Sequence, residues 1–170
     1  QRNIPRHITR SGDVLAIDND VTLYFIHPRK QYVSENAHAP LGTNNTSLVF
    51  QLRYQGVKAL FMGDAELPSL SEMDDYSEIL QSDILKVGHH GSWNGTSPVF
   101  LSKVQPKFAV ISCGEFNKFN HPSPAVVGNL IKIGANVFRT DQHGAVIFKA
   151  DANGIYRIRW SMFGYDVIIM

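Results

Sequence analysis

Alternating apolar and polar positions in the first third of the chain predict antiparallel strands. Residues 13–18 (DVLAID) and 21–27 (VTLYFIH) alternate on either side of Asn19-Asp20, a pair typical of tight hairpin turns. Residues 47–54 and 57–62 show the same alternation and predict a second hairpin. The chain is therefore expected to begin as an antiparallel meander.

Hydrophobic strands then alternate with helical patterns. Ser97-Pro98 and Ser123-Pro124 each match a helix N-cap followed by the first helical residue. The second of these helices is predicted to end at Gly134 and to carry one apolar face, formed by Val126, Val127, Leu130, Ile131 and Ile133. Helices are predicted at residues 65–81, 97–104 and 123–134. Strands are predicted at residues 84–87, 107–113, 137–139, 145–149 and 155–160. The predicted class is mixed α/β, with helices packed on a largely buried sheet.

Composition supports one globular domain spanning residues 1–170. The 170 residues are 44% hydrophobic and 18% charged, with a formal net charge of +1, which does not favour an intrinsically disordered chain or a strongly basic nucleic-acid binder. No apolar run approaches the roughly 20 residues of a transmembrane helix. Residues 29–46 contain Pro, Gly, Asn and Ser and predict the longest loop. Cys113 is the single cysteine and is expected to be a small buried hydrophobe.

Three polar clusters directly follow three hydrophobic strands. They are Gly63-Asp64, the run Gly88-His89-His90-Gly91-Ser92, and Asn120-His121-Pro122. Ligands of open α/β sheets bind beyond the carboxyl ends of the strands, so one Asp and three His are expected to converge there. Imidazole and carboxylate groups suit Zn²⁺ or Mn²⁺, and one carboxylate can bridge two ions.

Each of these residues also has a non-functional interpretation. Asp64 suits a turn or helix cap, and His121 suits an ordinary loop position. The remaining histidines, His7, His27, His38 and His143, are expected to be solvated or structural. Three aromatic residues near strand ends either line a substrate cleft or belong to the core: Trp93, Phe116 and Phe119.

Four strings together resemble the metallo-β-lactamase-fold domain of ComEC-type DNA-uptake (competence) proteins. They are NNTSLVFQLRYQGVKALFMGDAE, SDILKVGHHGS, AVISCGEFNKFNHPSPAVVGNL and VFRTDQHGAVIF, and the resemblance covers residues 4–158. It implies a four-layer αββα sandwich of two similar halves with two metal ions at the sheet edges. It also implies that Asp64 bridges the metals, that His89 rather than His90 is a ligand, that His90 faces the substrate, and that His121 contacts the scissile or leaving group.

The sequence departs from that family in two respects. The motif H-x-H-x-D-H, or H-x-D-x-D-H, does not occur in this chain, and the family carries it further upstream. Asn45 stands where many superfamily enzymes have another histidine. The chain is therefore expected to be the C-terminal portion of the sandwich without its upstream half. Two protein ligands fall short of the three or four that zinc sites usually have, so we expect weak metal binding and little activity from this fragment alone.

The resemblance implies a metal-dependent hydrolase of phosphodiesters such as DNA, within a competence protein of the bacterial inner membrane. The alternatives are a non-catalytic module of a membrane assembly and a hydrolase of a non-nucleic phosphorylated substrate. The expected partners are DNA, the upstream half of the domain, and a second copy in a two-fold homodimer, because a half-sandwich exposes apolar surface. Residues 160–170 are expected either to contribute to that contact or to fold back as one more strand.

Overall fold

The computed structural model describes residues 7–32, 42–161 and 164–169. Its strands are β1 Val14–Ala16, β2 Val21–His27, β3 Val49–Tyr54, β4 Val57–Phe61, β5 Ile84–Lys86, β6 Phe108–Ile111, β7 Asn136–Arg139, β8 Ile147–Asp151, β9 Gly154–Ser161 and β10 Gly164–Ile169. Its α-helices are α1 Leu67–Glu72, α2 Ser77–Leu80, α3 Pro98–Val104, α4 Pro124–Lys132 and α5 Thr140–His143. The class is mixed α/β, as the sequence predicts.

Strands β1 to β7 form one sheet in sequence order. The pairs from β1 to β4 are antiparallel, which agrees with the two predicted hairpins. Strand β1 is shorter than predicted, and Val14, Leu15 and Ile17 are exposed because β1 lies at the edge of the sheet. Around the predicted loop, 3₁₀ turns occupy Lys30–Tyr32 and Thr43–Thr46, and residues 33–41, which include His38, lie outside the described residues.

Strands β4 to β7 are parallel to one another, and helical segments connect them. The helices pack on one face of the sheet, where Leu85 and Ala109 join Leu70, Leu101 and Leu130 in a single buried cluster. Parallel pairing places the carboxyl ends of β4, β5 and β6 side by side at one sheet edge. That edge is where the three polar clusters follow their strands.

Two helical predictions need correction. The helix predicted over residues 65–81 is divided into α1, a 3₁₀ turn at Asp74–Tyr76, and α2, because the chain ends α1 at Met73 and buries that side chain in the core. In α4, Ile131 and Ile133 are exposed, whereas Val126 and Leu130 are buried. A step of about 100° per residue moves Ile131 off the stripe that Val126 and Leu130 share.

The C-terminal strands form a separate antiparallel sheet in the order β10-β9-β8. Phe148 of β8 contacts the rings of Phe108 and Phe138 on the sheet face opposite the helices. Strand β10 pairs with β9, so residues 164–169 fold back as one more strand, which was one of the two alternatives for this segment. Residues 162, 163 and 170 lie outside the described part of the chain. Helix α5 is an element that the sequence analysis did not predict.

A groove of about 540 Å³ remains on the same sheet face as β8. Its lining is mainly apolar and includes Leu52, Ala59, Phe61, Val110 and Phe148. The described chain thus shows one helical layer and two β layers that meet only in part. Within the described residues no helix has the length and apolar character needed to cross a bilayer.

Candidate functional site

The structure brings the predicted site residues together at the carboxyl ends of β4, β5 and β6. Nε2 of His90 lies 3.6 Å from Oδ1 of Asp64. The rings of His89 and His121 have centroids 5.8 Å apart in an edge-on arrangement. One hydrogen bond, from the backbone N–H of His89 to the carbonyl of Gly63 at 3.0 Å, ties two of the strand ends together.

The Gly-His-His-Gly turn has a strained backbone. His89 and His90 both have positive φ, at 45° and 55°, a region that non-glycine residues seldom occupy. Gly88 is needed for space, since a Cβ there would lie 2.9 Å from the carbonyl oxygen of Gly95. Strain of this kind costs about 1–3 kcal/mol per residue and is concentrated at functional sites in proteins. The turn sends the two adjacent imidazoles to different partners.

His90 is oriented by a backbone carbonyl. Its Nδ1 lies 2.7 Å from the carbonyl oxygen of Ser112, which can only accept, so Nδ1 carries the proton and donates. Its Nε2 faces the Asp64 carboxylate. Metal-binding histidines are commonly held in this way through their second ring nitrogen. The contact with Asp64 therefore involves His90, whereas the resemblance favoured His89 as the ligand.

His89 contacts a carboxylate instead. Its Nδ1 lies 3.1 Å from Oε1 of Glu66, which also accepts a 2.9 Å hydrogen bond from the side-chain amide of Asn44. The pKa of Glu66 is lowered, first by the hydrogen bond from Asn44, then by the hydrogen bond from Asn45 and by electrostatic attraction to the nearby His89. The Glu66 carboxylate lies against the His89 ring without hydrogen-bond geometry at Nδ1.

His121 lies between His89 and an aromatic neighbour. Its ring stacks on Phe119 with a centroid distance of 5.7 Å. The side chain of Asn117 fixes the loop, because its Oδ1 accepts from the His121 N–H and its Nδ2 donates to the His121 carbonyl. Burial lowers the pKa of His121, and the neighbouring His89 and His90 lower it further. The neutral imidazole is therefore favoured at neutral pH.

Lys86 approaches the site from the groove side of β5. Its stem lines the groove and its ammonium donates to the Val87 carbonyl at 3.0 Å. Burial lowers the pKa of Lys86, and the nearby Asp64 carboxylate opposes that effect. The edge of the sheet thus combines the Lys86 amine, the Asp64 and Glu66 carboxylates and three imidazoles.

The amino-acid sequence is similar to that of known protein families. Residues 33–115 match the family described as the Metallo-beta-lactamase superfamily. Over 140 residues, or 82% of the chain, it is 34% identical to ComE operon protein 3 of Bacillus subtilis, of which the match covers 17%. The chain belongs to the metallo-β-lactamase superfamily.

Other relatives point to the same group of proteins. The metallo-β-lactamase domain is 30% identical to Competence protein ComA of Neisseria gonorrhoeae over 138 residues, which cover 76% of the chain and 20% of that protein. It is 37% identical over 87 residues to Recombination protein 2 of Haemophilus influenzae, covering 51% of the chain and 11% of that protein. The chain thus spans about a fifth or less of the length of these relatives.

The described residues of this metallo-β-lactamase domain include side chains of the types that bind divalent metals, but too few of them to complete a site. Superfamily members commonly hold divalent metals such as zinc, for which the Asp64 carboxylate and the His90 Nε2 are suitable ligands. Within residues 7–32, 42–161 and 164–169, however, no group of three or more His, Cys, Asp or Glu side chains is placed to hold an ion. Two donors do not complete the usual zinc coordination.

The other residues singled out in the sequence agree with expectation in one case and differ from it in another. Cys113 is only partly buried and its thiol donates to Asp141, while burial raises its pKa and keeps it protonated. His27 is structural, as expected, and is fully buried with Nδ1 donating to the Ser47 carbonyl at 3.0 Å. Trp93, Phe116 and Phe119 are exposed, which is inconsistent with the core alternative.

Asn45 has a structural role at the position where superfamily enzymes often have histidine. It is buried, and its Oδ1 accepts hydrogen bonds from the Ser69 hydroxyl and from the backbone N–H groups of Glu66 and Ser69. It therefore joins the 3₁₀ turn before β3 to the start of α1 and holds Glu66 in place.

Glu66 and Lys86 are members of the site that the sequence pattern did not single out. Glu66 stands two positions after Asp64 in the string GDAE, and Lys86 opens the string KVGHHGS. A search for acidic and basic residues within five positions of the strand ends would have found both. Their contacts with His89 and with the groove depend on the tertiary packing of β4 against β5.

Proposed function

We propose that this domain carries part of a metal-dependent phosphodiesterase site of a competence protein and that its substrate is DNA. The observation that supports the proposal best is the convergence of Asp64, His89, His90 and His121 at one sheet edge. The competence relatives support a role connected with DNA, and the hydrolase-type fold supports hydrolysis.

In the proposed site, Asp64 and His90 would hold a divalent metal, and the other residues act on the substrate. Such an ion would supply a water of lowered pKa and polarisation of the phosphoryl oxygens. The Lys86 ammonium attracts the anionic phosphodiester to the edge of the sheet. Neutral His121 accepts a hydrogen bond from a substrate or solvent hydroxyl, while Glu66 holds His89 in one orientation. Because zinc sites usually have three or four protein ligands, this proposal requires ligands beyond those that the described residues supply.

A non-catalytic module is the second candidate, and one observation favours it. The described residues contain no complete group of metal ligands. Under this proposal the strained histidine turn serves a structural or binding role in a larger assembly. Hydrolysis of a non-nucleic phosphorylated substrate remains a third outcome of the same test.

The test combines metal binding with hydrolysis. Manganese added to the purified chain is expected to broaden the NMR ring-proton signal of His90 only at about millimolar concentrations, because few ligands hold it. Hydrolysis of bis(p-nitrophenyl) phosphate and of a DNA oligonucleotide should be slow and should require manganese. Asp64→Asn should abolish both effects, and His90→Gln should abolish hydrolysis.

Matched controls are available at exposed positions away from the site. His7→Gln and Asp20→Asn change the same residue types and should leave metal broadening and hydrolysis unchanged. Hydrolysis that persists in EDTA or survives Asp64→Asn would contradict the proposal. Activity on phosphomonoesters or sugar phosphates without activity on DNA would support the non-nucleic alternative. A chain with no broadening and no hydrolysis supports the non-catalytic module.

A further inference from the structure

Large aromatic side chains project into solvent beside the candidate site. Phe116 is 95% exposed and Phe119 is 64% exposed, both in the loop that follows β6. Trp93, 70% exposed, lies in the loop that follows the histidine turn. An exposed aromatic ring gains no burial energy in the free chain, so folding does not account for this arrangement.

The loop that carries the two phenylalanines is held in one shape. Asn117 Nδ2 donates to the Gly114 carbonyl at 2.9 Å and to the His121 carbonyl at 2.7 Å. Phe116 and Asn120 both have positive φ, at 56° and 55°. A bulky residue with positive φ costs conformational energy, yet here it only directs a ring into solvent.

One of the exposed rings, that of Phe119, continues into the site through direct ring contacts. Phe119 stacks on His121 at a centroid distance of 5.7 Å, and His121 contacts His89 at 5.8 Å. The Lys118 ammonium lies 5.0 Å from the centre of the Phe119 ring. The surface therefore offers aromatic faces and a positive charge next to the residues proposed to bind a phosphodiester.

We propose that Phe116 and Phe119, together with Lys118, form a stacking platform for unpaired nucleobases of the strand whose phosphodiester reaches Asp64 and His90. The identity of the ligand as nucleic acid rests on the function proposed above. Aromatic rings stack on any base, and a nearby cation pairs with the adjoining phosphate. Bases in a duplex already stack on their neighbours, so the platform selects single strands. An uncharged aliphatic segment would leave the Lys118 charge unused.

The test is fluorescence anisotropy with three labelled probes of equal length: an oligothymidylate, an abasic strand and a duplex. EDTA is present throughout, so binding is measured without hydrolysis. The oligothymidylate should bind the wild-type chain more tightly than either other probe. Phe119→Ala and Phe116→Ala should each weaken oligothymidylate binding about 5- to 100-fold, and the affinity for the abasic strand should stay unchanged.

Two further variants separate stacking from general surface effects. Phe119→Trp keeps an aromatic face and should restore binding to at least the wild-type affinity. Ile131→Ala removes another exposed apolar side chain, 62% exposed on α4, and should leave binding unchanged. Circular dichroism of each variant checks that the fold is retained.

Several results would overturn the platform. They are equal binding of the thymidylate and abasic strands, unchanged binding by the alanine variants, and no binding of any strand. Binding of the wild-type chain to phosphatidylglycerol vesicles that is lost in Phe116→Ala, without oligonucleotide binding, would assign the surface to a membrane instead. Manganese-dependent hydrolysis without base-dependent binding refutes only the platform. Base-dependent binding without hydrolysis refutes only the phosphodiesterase.

Discussion

Replacing Gly91 by alanine tests whether the histidine turn and the His121 loop are packed as closely as the structure indicates. Gly91 has φ +78°, a conformation that residues with a side chain seldom adopt. A Cβ at this position would lie 2.6 Å from Cβ of Pro122 and 3.1 Å from Cγ2 of Ile111. Both neighbours are buried, and the Ser123 N–H donates to the Gly91 carbonyl at 2.8 Å, so neither loop is free to withdraw.

The expected loss of stability follows from these two effects. A left-handed conformation costs a residue with a Cβ about 1–2 kcal/mol. Forcing a methyl group into a filled site costs about 1–3 kcal/mol more. We therefore expect Gly91→Ala to lower the free energy of unfolding by about 2–5 kcal/mol.

Urea unfolding followed by circular dichroism and tryptophan fluorescence measures this change. The matched control is Gly128→Ala in α4, where no atom lies within 4 Å of the added Cβ. Alanine is the better helix former, so this control should raise stability by up to about 1 kcal/mol. Equal midpoints for Gly91→Ala and the wild-type chain, with unchanged slopes, would falsify the close packing of the two loops.

The other predictions concern stability and association. Asn45→Ala should lower the free energy of unfolding by about 2–4 kcal/mol in the same urea assay, because it leaves the buried Ser69 hydroxyl and backbone donors unsatisfied; a loss below about 0.5 kcal/mol would contradict this role. The folded-state pKa of Glu66 is lowered, so its stabilisation is present above the unfolded pKa of about 4.3 and is lost as the pH falls through the folded pKa. Thermal melts should show Glu66→Gln to be less stable than wild type at pH 7, with the difference closing at low pH; a constant difference would refute the sign. Light scattering over a concentration series should show a dimer, whereas a monomeric mass at high micromolar concentration would reject it.

Much of the fold could be predicted from local patterns in the sequence. The two hairpins and the starts of α3 and α4 agree with the structure because alternation, turn pairs and Ser-Pro caps act over a few residues. The break between α1 and α2 and the exposure of Ile131 were missed. The break follows from the burial of Met73 in the core, and the exposure of Ile131 depends on which side of α4 the sheet covers. Helical periodicity alone specifies neither.

For the candidate site too, the sequence predicted some features and only the tertiary structure decided others. Residue types and strand-end positions were enough to single out Asp64, the histidine pair and His121, because parallel strands that share a sheet end at one edge. The sequence did not reveal that His90 faces Asp64 while His89 faces Glu66, since adjacent residues with left-handed backbones send their rings in different directions. Partner choice depends on distances of a few ångströms between residues far apart in the chain, so only the packed tertiary structure decides it.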